Sequence, residues 1–156
     1  FSAHGLPKKI VAGGDPYQWQ VEQTCEAVAA ELGMANGDWA VCYQSQVGPL
    51  EWIGPSTDDE IRRAARDGVP VVVVPIAFVS EHSETLVELD IDYGNMAREL
   101  GIPAYVRVPT VSVQDDFIGG LAEIVDAARK RDPGLRSAEG PRQCPAEHGK
   151  CPIGAG

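Results

Sequence analysis

Val69-Pro70-Val71-Val72-Val73-Val74-Pro75-Ile76 decides the fold. The run is β-branched at nearly every position and never alternates polar with apolar. Such a strand is expected to be buried on both faces, as in the centre of a parallel sheet. It leads into Phe78-Val79-Ser80-Glu81-His82-Ser83-Glu84-Thr85-Leu86-Val87-Glu88-Leu89-Asp90-Ile91-Asp92-Tyr93, which opens a helix. That stretch holds five carboxylates and one histidine, with no Lys or Arg before Arg98. On an α-helix, Glu84, Glu88 and Asp92 stack at steps of four and repel by roughly a few tenths of a kcal/mol per pair. Leu86, Leu89, Tyr93, Met96 and Leu100 form a core-facing stripe, with the acids about 120° away from it. Taken alone, that is a solvated acidic face.

The flanking segments alternate strand and helix. Phe1-Ser2-Ala3-His4 reads as the end of a strand, and Gly5-Leu6-Pro7 as a turn directly after it. Asp15 is a helix cap with Pro16 at the first helical position, and the helix runs to about Leu32 before Gly33. Trp39 to Gln44 is a strand. The loop from Ser45 to Ser56 is rich in Gly and Pro yet carries Leu50, Trp52 and Ile53, so it packs on the body or lines a pocket. Thr57 with Glu60 makes a capping box for a helix that ends near Asp67-Gly68. The acidic helix ends at Gly101, Ala104 to Val108 is a short strand, and Ser112 with Asp115 starts a last helix to about Arg131. These boundaries give one domain over residues 1–131. Residues 132–156, rich in Pro, Gly and charge, form a tail with little regular structure. The order predicts an α/β fold, a parallel sheet flanked by helices on both faces. Ligands in such folds bind beyond the carboxyl ends of the strands. His4, the Gln46–Trp52 loop and the Ser80–Glu84 segment all fall on that rim, which moves the acidic helix from a solvated face toward a site.

Composition narrows the classes. The chain has 156 residues and a net charge of −10. That argues against nucleic acid, which demands clustered Lys and Arg, and suits cations or plain solubility. No apolar run approaches the ~20 residues of a membrane span. Four cysteines are too few for a disulfide framework. Cys25 and Cys42 sit in apolar periodic segments as buried thiols. A cytoplasmic setting is the expectation, as is a chain that forms the later part of something longer.

Each chemical candidate has a plain structural alternative. His4 can act as base, metal ligand or turn residue. His82 with Glu84 can bind a divalent metal or exchange protons, or Glu84 simply favours a helix N-terminus. Glu88 and Asp92 extend Glu84 into a carboxylate track. Carboxylates suit hard cations, and an added imidazole suits ferrous iron or zinc. His-Glu-x-x-His, Gly-Lys-Ser/Thr and Gly-x-Ser-x-Gly are absent, which sets aside zincins, phosphate loops and serine hydrolases. Cys144 and Cys151 bracket His148 and could ligate zinc or part of an iron–sulfur cluster; the alternative is a tail with two incidental thiols.

Four linked motifs resemble one family. Ser2-Ala3-His4-Gly5-Leu6-Pro7, Gly14-Asp15-Pro16-Tyr17, the segment Gln44 to Pro55, and Val74 through Tyr93 look like ferrochelatase, in the right order and spacing. The resemblance implies a Rossmann-like chelatase domain, the C-terminal half of an enzyme about twice as long. It implies insertion of ferrous iron into protoporphyrin IX, the terminal step of haem synthesis. Metalation of coproporphyrin or another tetrapyrrole, or a non-catalytic metal- or haem-binding fragment, is the alternative. By resemblance His4 and Glu84 are catalytic and face each other across the porphyrin. His4, Glu84, Glu88 and Asp92 handle the metal along a widened helix. Trp52, His82 and Glu81 contact substrate. A π-type turn, with about 4.4 residues, would align positions four apart better than an α-helix does. The tail echoes members with a [2Fe-2S] cluster: Cys144 and Cys151 match an outer pair, but Glu147 stands at the middle cysteine. Expected partners are the two substrates and the missing N-terminal half. Peripheral membrane contact, because the product is poorly soluble, and a homodimer complete the expectations.

Overall fold

A computed structural model describes residues 1–137 and 140–153. Four short strands run parallel: β1 (Ser2–His4), β2 (Cys42–Gln44), β3 (Val71–Val73) and β4 (Tyr105–Arg107). In the β1–β2 register His4 faces Gln44; in the β3–β4 register Val73 faces Arg107. The two pairs join where Ser2 N–H donates to the Val74 carbonyl at 2.9 Å and Ile76 N–H to the Ser2 carbonyl at 2.8 Å. The resulting order is β2-β1-β3-β4. From β1 the chain goes to one edge, then crosses to the other side of β1. The switch point therefore lies between β1 and β3, where open α/β sheets hold their ligands.

The helices are α1 (Lys8–Ala12), α2 (Tyr17–Glu31), α3 (Thr57–Asp67), α4 (Gly94–Glu99) and α5 (Asp115–Arg129). A π-helix occupies Glu84–Tyr93, immediately before α4. The core cluster joins Ala3 of β1, Val21 and Cys25 of α2, Tyr43 of β2, and Ile53 of the Gly/Pro-rich loop. That loop follows the chain after β1: Ile53 N–H donates to the Leu6 carbonyl at 3.0 Å and Lys8 N–H to the Glu51 carbonyl at 2.8 Å. Gly5 permits the approach, because a Cβ there would lie 2.9 Å from the Gln44 carbonyl oxygen and 3.2 Å from the Trp52 ring.

Five expectations need correction. Helix α5 starts after Gln114 with no side-chain cap, not from Ser112. Helix α1 follows Pro7 where the sequence pattern suggested only a turn. The cap of α3 sits one residue early: Ser56 Oγ accepts from Asp59 N–H at 3.1 Å and donates to the Asp59 carboxylate at 2.7 Å. Thr57 is instead buried, bonded to Ser2 and Cys42. Strand β3 is not buried on both faces. Val72 is 61% exposed, as is its cross-strand partner Val106 at 53%, because no described helix covers that pair. The stripe on the acidic helix also shifts. Leu89 is fully buried, but Leu86 and Leu100 are exposed. The wider π-turn rotates successive residues less than the assumed α-helical step, so the buried line runs through Thr85 and Leu89. Glu84 and Glu88 then flank the buried line instead of lying far around from it.

Beyond α5 the described residues form no further helix. Lys150 N–H donates to the Gly14 carbonyl at 3.0 Å, and Gln20 Nε2–H to Cys144 Sγ at 3.8 Å, so the segment returns to the start of α2. No helix among the described residues is long and apolar enough to cross a membrane.

Ser56→Ala removes the side-chain acceptor at the start of α3, and urea unfolding is expected to show a loss of about 1 kcal/mol. Asp59→Ala, which keeps the Ser56 acceptor, is expected to lose less.

Candidate metal and proton site

His4 ends β1, and the segment after β3 brings His82 and Glu84 to the same switch point. His4 Nδ1 lies 2.6 Å from the Gly5 carbonyl oxygen. A carbonyl only accepts, so Nδ1 carries the proton and Nε2 of the neutral ring has a free lone pair. That Nε2 lies 3.4 Å from Glu84 Oε1. The Tyr17 hydroxyl donates to the His4 carbonyl at 3.0 Å and fixes the backbone behind the ring. Burial, then the nearby Glu84 charge, push the Tyr17 phenol above its ordinary range, which favours the neutral donor. Beside His4 opens a cavity of about 390 Å³ lined by His4, Gly5, Leu6, Asp15 and Tyr17.

His82 has the opposite polarity. Its Nδ1 accepts from the Glu84 backbone N–H at 3.1 Å, so Nε2 carries the proton in the neutral ring. Nδ1 also stands 3.6 Å from Glu84 Oε2, and the ring packs on Phe78 with centroids 5.2 Å apart. Glu84 thus stands between two imidazoles, and the side chains of all three remain more than a third exposed.

The other acids differ sharply. Both oxygens of Glu88 are occupied. Oε1 accepts from Ser45 N–H at 2.7 Å and Tyr93 Oη–H at 3.4 Å. Oε2 accepts from Ser45 Oγ–H at 2.5 Å and Gln44 Nε2–H at 3.1 Å. Ser45 adopts a left-handed φ of 60°, and that conformation turns its amide and hydroxyl onto one carboxylate. Asp92 is exposed and makes no hydrogen bond or ion pair among the described residues. Glu81 accepts from Arg107 Nη1–H at 2.6 Å and Thr110 N–H at 3.0 Å. Partial burial opposes its ionisation. Hydrogen bonds from Thr85, Thr110 and Arg107, with the Arg107 charge, outweigh that and bring its carboxyl down to about 2. Trp52 is half-buried against Gly5, and its indole N–H is buried without a partner among the described residues.

Sequence patterns did not single out Gln44, Ser45, Tyr105 or Arg107 as site residues. Gln44 and Arg107 carried one signal each: a polar group closing an apolar strand.

A [2Fe-2S] cluster is normally held by four cysteine ligands. Cys144 is half-buried and its Sγ accepts from Gln20 Nε2–H at 3.8 Å, while Cys151 is buried. Cys25 and Cys42 are buried in α2 and β2, and Cys42 is already bonded to Thr57 and the Phe1 carbonyl. Among the described residues no group of three or more His, Cys, Asp or Glu is arranged to hold a metal ion. The residues present do not fit a cluster held by this chain.

The ferrochelatase family profile matches residues 1–129. The chain belongs to the ferrochelatase family. It is 53% identical over 156 residues to the ferrochelatase of Caulobacter vibrioides (strain NA1000 / CB15N), covering 100% of this chain and 45% of that protein. It is 54% identical over 151 residues to that of Phenylobacterium zucineum (strain HLK1), covering 97% and 43%. With that of Pelagibacter ubique (strain HTCC1062) it shares 48% over 153 residues, covering 98% and 44%. The chain spans less than half the length of these relatives.

Because the folded state holds Glu81 ionised, with a carboxyl near 2 against an ordinary 4.5, its stabilising contribution is complete above about 4.5 and fades as pH falls toward 2. In urea titrations, Glu81→Gln is expected to be less stable than the parent at pH 7. The gap is expected to narrow below pH 4.5 and close near pH 2.

Proposed function

We propose that this chain supplies the base and metal-handling wall of an enzyme that inserts ferrous iron into protoporphyrin IX. One observation carries the reading: the free Nε2 of His4 faces Glu84 at 3.4 Å, at the sheet's switch point, in a ferrochelatase-family chain. Metalation exchanges two pyrrole N–H protons for one Fe²⁺. It calls for a base at the ring face and a route for a hydrated cation. His4 Nε2 takes the two protons one at a time, each released past Glu84 to water before the next, and the imidazolium it becomes is stabilised by Glu84. The exposed Glu84 carboxylate exchanges water for its own oxygens on the incoming iron. Asp92, open to solvent, attracts the cation from outside. Glu88, bound by four donors, contributes fixed charge and shape, and holds the π-helix to β2. Trp52, with the exposed Val47 and Leu50 of its loop, offers an apolar wall suited to a flat macrocycle. His82 accepts the Glu84 backbone N–H and so fixes the start of the π-helix.

The test is anaerobic: Fe²⁺ and protoporphyrin IX, followed by haem absorbance, with this chain alone and joined to the remainder of a family polypeptide. Haem formation is expected in the joined protein. His4→Ala and Glu84→Gln are expected to lower kcat on the order of 10²–10⁴-fold while porphyrin affinity, read by fluorescence, stays within about twofold. Undiminished turnover by His4→Ala would sink the assignment. Porphyrin binding without haem formation in the joined parent would leave a binding module. Faster metalation of coproporphyrin would change the substrate.

A further inference from the structure

A π-helix has poorer hydrogen-bond geometry than an α-helix and in most proteins lasts a single turn. Here it spans ten residues, Glu84–Tyr93. Something outside it has to hold that shape, and the contacts come from the two edges of the sheet. At the β2 edge, Gln44 Nε2–H donates to the Glu84 carbonyl at 2.7 Å, and Gln44 and Ser45 together bind the Glu88 carboxylate. At the β4 edge, Tyr105 Oη–H donates to the Leu89 carbonyl at 2.7 Å. Arg107 then makes a forked pair with Asp90, Nε–H at 2.7 Å and Nη2–H at 2.6 Å, and its Nη1–H reaches Glu81 at 2.6 Å. Glu81 precedes Glu84 in the chain and Asp90 follows Glu88, so one guanidinium grips both flanks of the acids that face the site. The Arg107 side chain is only 11% exposed. Its two carboxylates are therefore less screened than a surface pair, and a lysine ammonium could not reproduce the fork together with the third bond.

We infer that Arg107 is a positioning residue: by clasping Glu81 and Asp90 it anchors the π-helix to β4 and thereby sets the reach of Glu84 toward His4. The role rests on the metalation reading of the His4–Glu84 pair. Without the clasp, the segment is tied at the β2 edge and by Tyr105 alone, and Glu84 loses its fixed distance from Nε2.

Two measurements on the chain test this, each applied to Arg107→Met, Arg107→Lys and, as a control, Arg63→Met. Arg63 also pairs with two carboxylates, Glu60 and Asp67, on the exposed face of α3. The first is amide hydrogen exchange over residues 84–93. The second is Co²⁺ affinity, read from the visible absorption of the bound ion, with His4→Ala defining the site. In Arg107→Met, exchange over 84–93 is expected to rise by about tenfold or more, with α2 and α3 unchanged. Co²⁺ affinity is expected to fall about 10–100-fold, the usual range for loss of a supporting group. Arg107→Lys falls between, and Arg63→Met matches the parent in both. Three results overturn the inference: unchanged exchange over 84–93, exchange that rises equally throughout the chain, or unaltered Co²⁺ affinity despite faster local exchange. A parent chain with no His4-dependent Co²⁺ binding overturns the metalation reading itself, which the exchange result alone would not reveal.

Discussion

The structure turns on one buried amide. Gln44 has no exposed surface, so each of its polar atoms must find a partner inside the protein. Its oxygen accepts the Ser2 hydroxyl at 2.7 Å, which leaves its nitrogen pointing at the π-helix, where it reaches the Glu84 carbonyl and the Glu88 carboxylate. With the Ser2 proton committed to Gln44, the Thr57 hydroxyl donates to Ser2 Oγ at 2.8 Å, and Cys42 Sγ lies 3.3 Å from Thr57 Oγ1. Strands β1 and β2, helix α3 and the π-helix are thereby locked to one another by groups that cannot turn to water. Breaking one member would strand its neighbours, at about 1–3 kcal/mol for each orphaned group. That penalty, more than the sheet's few ladder bonds, holds His4 and Glu84 in register.

The same network explains how closely spaced acids coexist on one helix. Repulsion among them is real, but it is unevenly offset. Glu88 is surrounded by donors from Ser45, Gln44 and Tyr93, and Asp90 by the Arg107 fork. Glu84 lies between two imidazoles and stays partly exposed. The protein quiets Glu81, Glu88 and Asp90 and leaves Glu84 and the exposed Asp92 available. A row of acids in sequence is thus three kinds of group in space: a structural anchor, an ion-pair partner and an exposed carboxylate.

The alternation of strands and helices was legible because β-branched runs and capped, periodic helices are local signals. The rim that gathers His4, Trp52 and the Ser80–Glu84 segment followed from the same alternation. The π-helix was legible only as a consequence of family likeness, since 84–93 has an ordinary α-like pattern of apolar residues. Its wider turn reassigned Leu86 and Leu100 to the surface and brought Glu88 inward. Gln44 and Arg107 escaped notice because their roles are set by partners 40 and 17 residues away. Spacing arguments within one element do not reach that far. Thr57 was read as a cap for the same reason: its hydroxyl suits that role locally, but the buried Ser2 and Cys42 claim it. The exposure of Val72 has a different origin, since a strand's composition states what it can tolerate on each face and not what covers it.

The hydrogen bond from His4 Nδ1 to the Gly5 carbonyl has a consequence for traffic. With that nitrogen committed to the backbone, the imidazole cannot take a proton on one side and pass it out on the other. Whatever arrives at Nε2 departs by Nε2, on the Glu84 side. The ring is a cul-de-sac, not a relay. Protons leaving and cations arriving would therefore share one doorway, and a single carboxylate would have to serve them in turn.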